Sequence, residues 1–575
     1  MTTIDLAARR ADFRNLSFCL VIVSVAMLLV WPFGEISYAD DYAYSHVALR
    51  LVQTGHFLYN GWEFAMLLSH SWWGALFIRL FGFSFTCLRL STIPFALGSV
   101  GLCYSLVRRA GLNPSSAFLM TLTLGLSPLF VPLSITYMTD IPCLFFVLAS
   151  LYSLSRAGEA GGSSRGYMWI AVGAALGFVG GTGRQVVWLV PVVVLPYLAW
   201  CRRENRWFRI SAEVAWVAVL AGVNYTSAWF RHQPYSSMTT SVFNEVVMAI
   251  KKPKATVDIS ARLVLMLMLV ILPTAVPLLY RSLGDTWRGP RGRKILVGTL
   301  FVLVLAAIAI HPSLASIPWV SSTLNWEGIN GSAPLPGRPI VLIRPIRAVV
   351  AITVYFAGCI LAGEVWNIRK LARRIGNFLY KPPETNFTLA AMSLFSAVYF
   401  ALLVVRAAEI DIFDRYLLPL MPWAAAVLLL WSGIDNQDSE RLKRRVMPTA
   451  WTVLMVLTSY AVLSTQDYWS LARARVAATK RLEAAGVPRT AIDAGMEYNG
   501  WSQLLLTGQI NNRWVSNPPG AYRPGLGITP DVKPVYRLEY GPTSDSTPTE
   551  FGEVPYFSLL PPFHKQVSID RIVVR

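Results

Sequence analysis

The chain has little charge and few cysteines for its length. Only 14% of its 575 residues are charged and 54% are hydrophobic, whereas a soluble globular chain carries about 25% charged residues. Runs such as Phe18 to Phe33 and Leu417 to Trp431 contain no charged residue. These uncharged runs cover most of the length that a bilayer crossing needs. The composition therefore excludes a soluble multidomain protein and predicts a polytopic membrane protein.

Metal-binding cysteine motifs, internal repeats and low-complexity tracts are also absent. The six cysteines lie in or beside apolar segments and show no CxxC spacing, which favours small apolar packing groups over metal ligands. The polar C-terminal stretch contains no cysteine, so no disulfide is expected there. The first apolar run lacks a small-residue cleavage site behind it, and we expect it to be retained.

Positive charge is in excess, with 51 Lys and Arg against 32 Asp and Glu, a net charge of +19. These basic residues fall mostly in short loops between apolar segments, where they orient helices. The sequence shows neither a basic tail nor an aromatic-basic stripe, so nucleic acid is not expected as a partner.

About thirteen segments are apolar enough to be membrane spans, with ends uncertain by about two to four residues. Basic clusters fall in every second loop between them if the N-terminus is cytoplasmic. That alternation requires "HSWWGALFIRLFG", residues 70–82, to be an interfacial or re-entrant helix on the outer side rather than a span. The predicted spans are 16–33, 88–107, 117–133, 141–155, 167–181, 184–200, 209–225, 261–280, 295–311, 345–363, 388–404, 416–432 and 447–464.

Four long stretches then face outside: residues 34–87, 226–260, 312–344 and everything after about 465. The last stretch reads as an amphipathic helix, a Gly-Val-Pro stop, a short strand from Ala491, and further strands at "VYRLEY" and "DRIVVR". We therefore expect a transmembrane domain over 1–465 and a small α/β domain over 466–575 outside the membrane.

Acidic residues lie where the predicted spans meet the outer surface. Asp40 and Asp41 follow the first span in "ADDYAYSHVALRLVQTGHF", and Asp140 begins another span in "TYMTDIPCLFF". Carboxylates at a membrane boundary are costly unless they are paired or used. Each could simply cap a helix, and Pro142 in the first turn favours that alternative for Asp140. Their common side and depth favour one shared site.

Two arginines lie at the same outer level, Arg184 in "GGTGRQ" and Arg415 in "IFDRYLLPLMP". A planar guanidinium there suits a phosphate at headgroup depth. The alternatives are snorkelling of the side chains and, for Arg415, simple pairing with Asp414. Carboxylates and arginines at a membrane boundary indicate glycosyl transfer, in which a carboxylate deprotonates an incoming hydroxyl and arginines stabilise a departing lipid phosphate.

These segments resemble the family-39 and ArnT-like (PMT-type) membrane glycosyltransferases. The resemblance rests on "ADDYAYSHVALRLVQTGHF", "LSPLFVPLSITYMTDIPCLFFV" and "DRYLLPLMP", in the same order and topology. It implies a GT-C fold, a polyprenyl-phosphate sugar donor held at the outer leaflet, and inversion at the anomeric carbon. It also implies a catalytic Asp40 with Asp41 as its acidic companion. Donor binding would then fall to a further set of residues: Tyr44, Asp140, Arg184, Arg415 and Tyr416.

The sequence departs from this family after the first outer helix. Related members often carry Glu-Lys-Pro-Pro there, a motif associated with acceptor or metal contacts, whereas this chain reads "GWEFAMLLSHSWW". Glu63 and His70 are the nearest polar groups and the weak candidates for a divalent metal, although a lone His on such a helix is more often structural. No cofactor is otherwise indicated, and the acceptor, whether glycan, lipid or protein, stays open.

Two other functions compete with sugar transfer from a lipid phosphate. A transporter or flippase commonly shows inverted repeats and mid-span charges, and neither is visible in this sequence. A polymerase or ligase of the O-antigen type would use a pyrophosphate-linked donor and arginine-rich outer loops. The absence of organelle signals and disulfides favours a bacterial plasma membrane, with the N-terminus cytoplasmic and the C-terminal domain extracytoplasmic.

Overall fold

The computed structural model of the chain describes residues 3–237, 242–310, 318, 322–331, 334–364, 387–407, 411–435, 440–541 and 545–572. Most of these residues are helical. The α-helices in chain order are α1 Thr3–Leu29, α2 Asp41–Thr54, α3 Leu68–Phe81, α4 Phe85–Leu90, α5 Ile93–Arg109, α6 Pro114–Gly125, α7 Phe130–Leu133, α8 Asp140–Ala160, α9 Ser164–Gly183, α10 Leu189–Cys201, α11 Arg206–Arg231, α12 Val242–Lys251, α13 Pro253–Val270, α14 Leu272–Arg288, α15 Arg291–Ile310, α16 Arg344–Ala362, α17 Phe387–Arg406, α18 Met421–Ser432, α19 Glu440–Ala484 and α20 Met496–Thr507.

The predicted fold class, a multi-pass helical membrane protein with a small C-terminal sheet domain, is confirmed. Within the ranges above, eight helices are long and apolar enough to cross a membrane, or nine if one bent pair forms a single span. Each of the thirteen predicted segments coincides with a helix or a helix pair. The remaining segments lie in helices that are shorter or more polar than a simple span.

One predicted span has a different form in the structure. Residues 261–280 were expected to form one crossing, but α13 and α14 meet there at an angle of 95°. Pro273 lies in the first turn of α14. Because proline has no backbone N–H, it cannot continue the hydrogen-bond ladder of α13, and the helix breaks.

Some expected features fall on residues that the structure does not describe. The basic loop with Arg369, Lys370, Arg373 and Arg374 lies in the gap between 364 and 387. The outer stretch 312–344 is described only at 318, 322–331 and 334–344. Its described part contains a small antiparallel hairpin, β1 Leu324–Asn325 with β2 Gly328–Ile329.

The stretch between α1 and α2 is tied to the rest of the bundle by a buried arginine, Arg89. Its guanidinium donates to the carbonyl oxygens of Pro32 (2.6 Å) and Ile36 (2.7 Å). It also lies 3.9 Å from the ring centre of Trp469 in α19. The chain leaving α1 is therefore fixed against the last membrane helix just before Asp40.

The C-terminal domain is built on a four-stranded sheet in the order β3-β4-β6-β5, with β3 parallel to β4 and the other pairs antiparallel. Strands were expected from Ala491, at "VYRLEY" and at "DRIVVR". The structure has a strand at each of these places, namely β3 Ile492–Asp493, β4 Tyr536–Glu539 and β6 His564–Ile572. The sequence did not reveal β5, Ser546–Phe557, because two prolines and a bulge interrupt its alternation.

The expected boundary at 465 lies inside a helix. α19 runs without a break from Glu440 to Ala484, so the last span and the amphipathic helix are one element of 45 residues. Leu471 and Ala478 in its second half pack in the apolar cluster of the sheet domain, which also contains Leu538 and Val567 of the strands. The two domains therefore share a rigid helix.

Candidate active site

Asp40 lies at the turn that leads into α2. The preceding residue, Ala39, has φ of +46°, a left-handed conformation that is uncommon outside glycine and is found where surrounding contacts impose it. One carboxylate oxygen of Asp40 accepts a hydrogen bond from the indole Nε1 of Trp62 at 3.0 Å, and the other lies 3.1 Å from Nη2 of Arg415. The side chain is 18% exposed, so its orientation is set while it stays accessible.

Asp140 is the first residue of α8 and joins the two predicted arginines. Its Oδ1 lies 2.5 Å from Nη1 of Arg184, and its Oδ2 lies 3.7 Å from Nε of Arg415. Asp40, Arg415, Asp140 and Arg184 thus form one continuous chain of ion pairs, called here the ion network. The convergence that the sequence predicted for these four residues is present in the structure.

Further contacts hold the two guanidiniums of the ion network. Arg184 follows α9 and donates from Nη1 to Thr139 Oγ1 at 3.1 Å, and its guanidinium lies 4.8 Å from the ring centre of Tyr416. Arg415 donates to Ser322 Oγ at 2.6 Å. Tyr416, expected from the sequence, therefore contributes its ring face to the site.

Asp414, the alternative partner of Arg415, is engaged elsewhere. Its two carboxylate oxygens accept the backbone N–H groups of Thr323 (3.0 Å) and Leu324 (2.6 Å). It therefore anchors the β1–β2 hairpin, next to the Ser322 hydroxyl that Arg415 contacts. Arg415 therefore forms its ion pairs with Asp40 and Asp140.

A cavity of about 500 Å³ opens beside the ion network between α3, α8 and α9. Arg184 and Thr139 line it, and apolar side chains cover most of its walls. We call this cavity the apolar groove. It combines apolar walls with a guanidinium, a combination that suits a lipid chain carrying an anionic group. Its larger lining side chains are Leu68, Trp72, Trp73, Leu76, Phe95 and Phe146.

Asp41 is buried, with 2% of its surface exposed, and is not among the residues that line the groove. Its two oxygens accept backbone N–H groups, from Tyr38 at 2.6 Å and from Tyr137 at 3.2 Å. Burial raises the pKa of Asp41 to about 7. This residue therefore fastens the Asp40 turn to the segment that precedes Asp140.

Tyr44 lies one turn into α2, partly buried. Burial, followed by the negative charge of Asp40, raises the pKa of its hydroxyl well above the ordinary value. Tyr44 thus stays protonated next to the carboxylate. The structure therefore places Tyr44, which the sequence predicted as a site residue, within reach of the charges of Asp40 and Arg415.

The two metal candidates are both buried, and each has a structural contact. His70 stacks on Tyr137 at 4.1 Å between ring centres, with Nε2 3.0 Å from the Tyr137 carbonyl oxygen, and burial lowers its pKa to about 4. Glu63 accepts the backbone N–H of Asn60 at 3.2 Å, and burial raises its pKa to about 8. Within the described ranges no three His, Cys, Asp or Glu side chains cluster as metal ligands.

Sequence reasoning missed Trp62, Ser322 and Thr139, each of which contacts a charged residue of the site. Trp62 had a local signal, since it follows a glycine in the stretch where the chain departs from the resembled family. Ser322 and Thr139 had none, because uncharged hydroxyl residues are common near the ends of membrane helices.

Residues 68–230 match the model of a family described as dolichyl-phosphate-mannose-protein mannosyltransferase. This stretch contains Asp140 and every lining residue of the apolar groove, Arg184 included, and it begins after Asp40. No curated protein matches the chain.

Three solved structures are similar to the chain at low identity. ArnT from Cupriavidus metallidurans bound to undecaprenyl phosphate is 15% identical, over 84% of this chain and 83% of that one, with a TM-score of 0.38. The archaeal oligosaccharyltransferase AglB from Archaeoglobus fulgidus is 12% identical, over 82% and 58%, with a TM-score of 0.42.

The third structure is the S. cerevisiae protein O-mannosyltransferase complex Pmt1-Pmt2 bound to the sugar donor. It is 16% identical over 38% of this chain, with a TM-score of 0.31, and the match spans 33% of the yeast chain. The family match over residues 68–230 confirms the resemblance to PMT-type membrane enzymes and the glycosyltransferase class expected from the sequence.

Proposed function

We propose that the chain transfers a sugar from a polyprenyl-phosphate donor to an acceptor hydroxyl, with Asp40 as the general base and inversion at the anomeric carbon. The observation that carries this proposal is that Arg184 belongs to the ion network and also lines the apolar groove. The polyprenyl chain lies along the groove, and the phosphate lies against Arg184. The description of the matching family, which names a dolichyl-phosphate-linked sugar, is consistent with this donor class.

The charges of the network suit a departing phosphate. Two carboxylates and two guanidiniums alternate, so the network is close to neutral before the donor arrives. The donor phosphodiester carries one negative charge, and the released carrier phosphate gains a second. Positioned guanidiniums interact most strongly with the charge that develops as the bond breaks. Asp140 keeps both guanidiniums at the site and prevents them from turning to solvent.

The reaction is a direct displacement. The acceptor oxygen forms a bond to the anomeric carbon on the face opposite the phosphate, and the bond from that carbon to the phosphate oxygen breaks. The electron pair leaves with the carrier phosphate, and the acceptor proton passes to Asp40. A positioned base of this kind contributes about 10²–10⁴-fold. Trp62 and Arg415 hold the carboxylate in place for this step.

Asp41 has a different role from the acidic companion expected from the sequence. Both of its oxygens accept backbone N–H groups of Tyr38 and Tyr137, so it is a positioning residue that fixes the turn carrying Asp40. The active site lies on the non-cytoplasmic side of a bacterial plasma membrane in this proposal. The acceptor is a glycan, lipid or protein presented on that side.

The test is turnover by purified full-length protein in lipid nanodiscs. Polyprenyl-phosphate sugars labelled in the sugar are supplied one by one, and the label is followed from the lipid phase to acceptor or water. We expect consumption of at least one donor, with release of the carrier phosphate and an inverted anomeric centre in the product by NMR. Flux of an intact lipid-linked sugar across proteoliposomes, without any cleavage, would instead support a transporter and overturn the proposal.

A further inference from the structure

The C-terminal domain reaches into the first outer loop next to Asp40. The backbone N–H of Ile510 donates to the carbonyl of Asn60 at 2.7 Å, and the Asn512 side-chain amide donates to the carbonyl of Gly61 at 2.7 Å. Gly61 has φ of +91°, and a Cβ there would lie 2.9 Å from the Ile510 carbonyl oxygen. Only glycine allows this close approach, so loop 60–64 and segment 510–515 are held as one unit.

This docking brings aromatic rings of both domains together near the base. Trp62 donates its indole N–H to Asp40. Two residues later, the ring of Phe64 lies 6.4 Å from the ring of Trp514, and the guanidinium of Arg513 lies 5.0 Å from the Trp514 ring centre. The residues that make the docking contact are buried, whereas the rings are not: Phe64 is 42% exposed, and Trp62 and Trp514 are half-buried.

Packing does not account for the Phe64 and Trp514 rings. In the described part of the chain, neither belongs to a buried apolar cluster. Partly exposed aromatic faces with a few polar groups beside a reactive group are typical of small-ligand sites. Trp62 contacts the carboxylate of Asp40, so its ring lies beside any acceptor hydroxyl that reaches that carboxylate.

We infer that loop 60–64 and segment 510–515 form the acceptor subsite and that the acceptor is a carbohydrate. This inference rests on the proposed function, because it takes Asp40 as the base. A pyranose presents a face of C–H groups that packs on an electron-rich aromatic face, while its hydroxyls stay at the ring edge. Trp62, Phe64 and Trp514 supply such faces at low conformational cost, since Trp62 is fixed by Asp40 and Trp514 lies under Arg513.

The polar groups at this position favour a sugar over an extended peptide. A peptide bound along this loop would need unpaired backbone donors and acceptors. The carbonyl of Asn60 is used by Ile510, and the carbonyl of Gly61 is used by Asn512 and by Ser237 Oγ at 2.8 Å. Ring faces and side-chain edges are what the loop presents to a ligand.

The experiment compares acceptor kinetics for Phe64→Ala, Trp514→Ala and the conservative Trp514→Tyr in full-length protein in nanodiscs. The matched control is Trp207→Ala, because Trp207 is also exposed and also lies under an arginine, Arg206, at 5.8 Å. The probes are a panel of neutral, amino and acidic oligosaccharides and a set of Ser- and Thr-containing peptides. Donor consumption, acceptor KM and kcat, and Tm are measured for each variant.

We expect transfer to an oligosaccharide, with acceptor KM raised about tenfold by each alanine variant, as for the loss of one aromatic contact. The kcat should change much less, Trp514→Tyr should recover most of the affinity, and the control should behave as wild type. Transfer by the wild type to peptides alone, no binding of any oligosaccharide, or an unchanged KM in both alanine variants would overturn the inference. Failure of the proposed function differs from these outcomes, because then no donor is cleaved at all.

Discussion

Two ion clusters in this molecule have similar chemistry and different surroundings. The ion network joins Asp40, Arg415, Asp140 and Arg184 beside the apolar groove. The second cluster, called here the domain triad, consists of Arg338, Asp467 and Lys565, where the segment after the β1–β2 hairpin, α19 and the C-terminal sheet meet.

The difference between them lies in access and in how completely the charges are bonded. Both oxygens of Asp467 accept from a cation at 2.7 Å, and the three side chains are 1–4% exposed. In the network, Asp40 and Arg184 are each 18% exposed, and Asp140 Oδ2 stands 3.7 Å from Arg415 Nε. A buried and fully bonded triad holds two domains together. A partly exposed network beside a cavity can instead replace one of its internal contacts by a contact with a ligand.

The largest expected effect comes from Asp40→Asn. If the network is catalytic, the transfer rate falls about 10²–10⁴-fold, because the general base is lost while the shape of the side chain is kept. The measurement is donor turnover in nanodiscs, together with Tm.

The control for Asp40→Asn is Asp12→Asn, which removes a half-exposed carboxylate paired with Arg108 at 2.6 Å, away from the groove. That variant should turn over donor as wild type. Full activity of Asp40→Asn would contradict the assignment of the base.

Asp467→Asn should affect stability rather than the chemical step. It leaves Arg338 and Lys565 buried without their carboxylate, and breaking a buried pair costs about 3–5 kcal/mol. Thermal unfolding should shift to a clearly lower temperature, while the rate for each molecule that remains folded falls far less than in Asp40→Asn. A normal Tm would show that the triad does not hold the domains together.

Arg184→Lys tests whether the groove ends in a phosphate site. Lysine keeps the charge and loses the planar fork that contacts Asp140 and Thr139. A hydrogen bond to a charged group contributes about 1.5–3 kcal/mol, so the donor KM should rise about 10- to 100-fold. Arg108→Lys is the matched control, and an equal rise in both variants would count against a specific donor contact.

The last expected effect is a pH dependence of stability centred on Glu63. Burial raises its pKa from 4.5 to about 8 in the folded chain, so folding retains a proton that the unfolded chain releases above pH 4.5. The contribution of Glu63 to stability is therefore complete below pH 4.5 and is lost as pH rises toward 8. Comparison of Tm between pH 5 and 8 should show this decline in wild type and a flatter curve in Glu63→Gln. A steeper curve in the variant would contradict the sign.

The helices and the identity of the charged site residues could be predicted from particular sequence features. Apolar length marked the spans, and Asp40, Asp140, Arg184 and Arg415 stood out because charges at membrane boundaries are costly. The breaks were harder to predict: the bend at Pro273 lies inside one apolar run, and α19 continues through the point where its composition changes. Hydropathy reports burial in lipid and does not report the direction of a helix.

The amino-acid sequence by itself determined that the chain crosses a membrane repeatedly and that opposite charges lie at the ends of its spans, because both follow from local composition. Only the tertiary structure decided which charges pair. Arg415 reaches Asp40 across 375 residues, and Gly61, next to Trp62, accepts a hydrogen bond from Asn512 of the C-terminal domain. Such contacts cannot be predicted from local sequence, because they depend on how distant helices and loops pack in three dimensions.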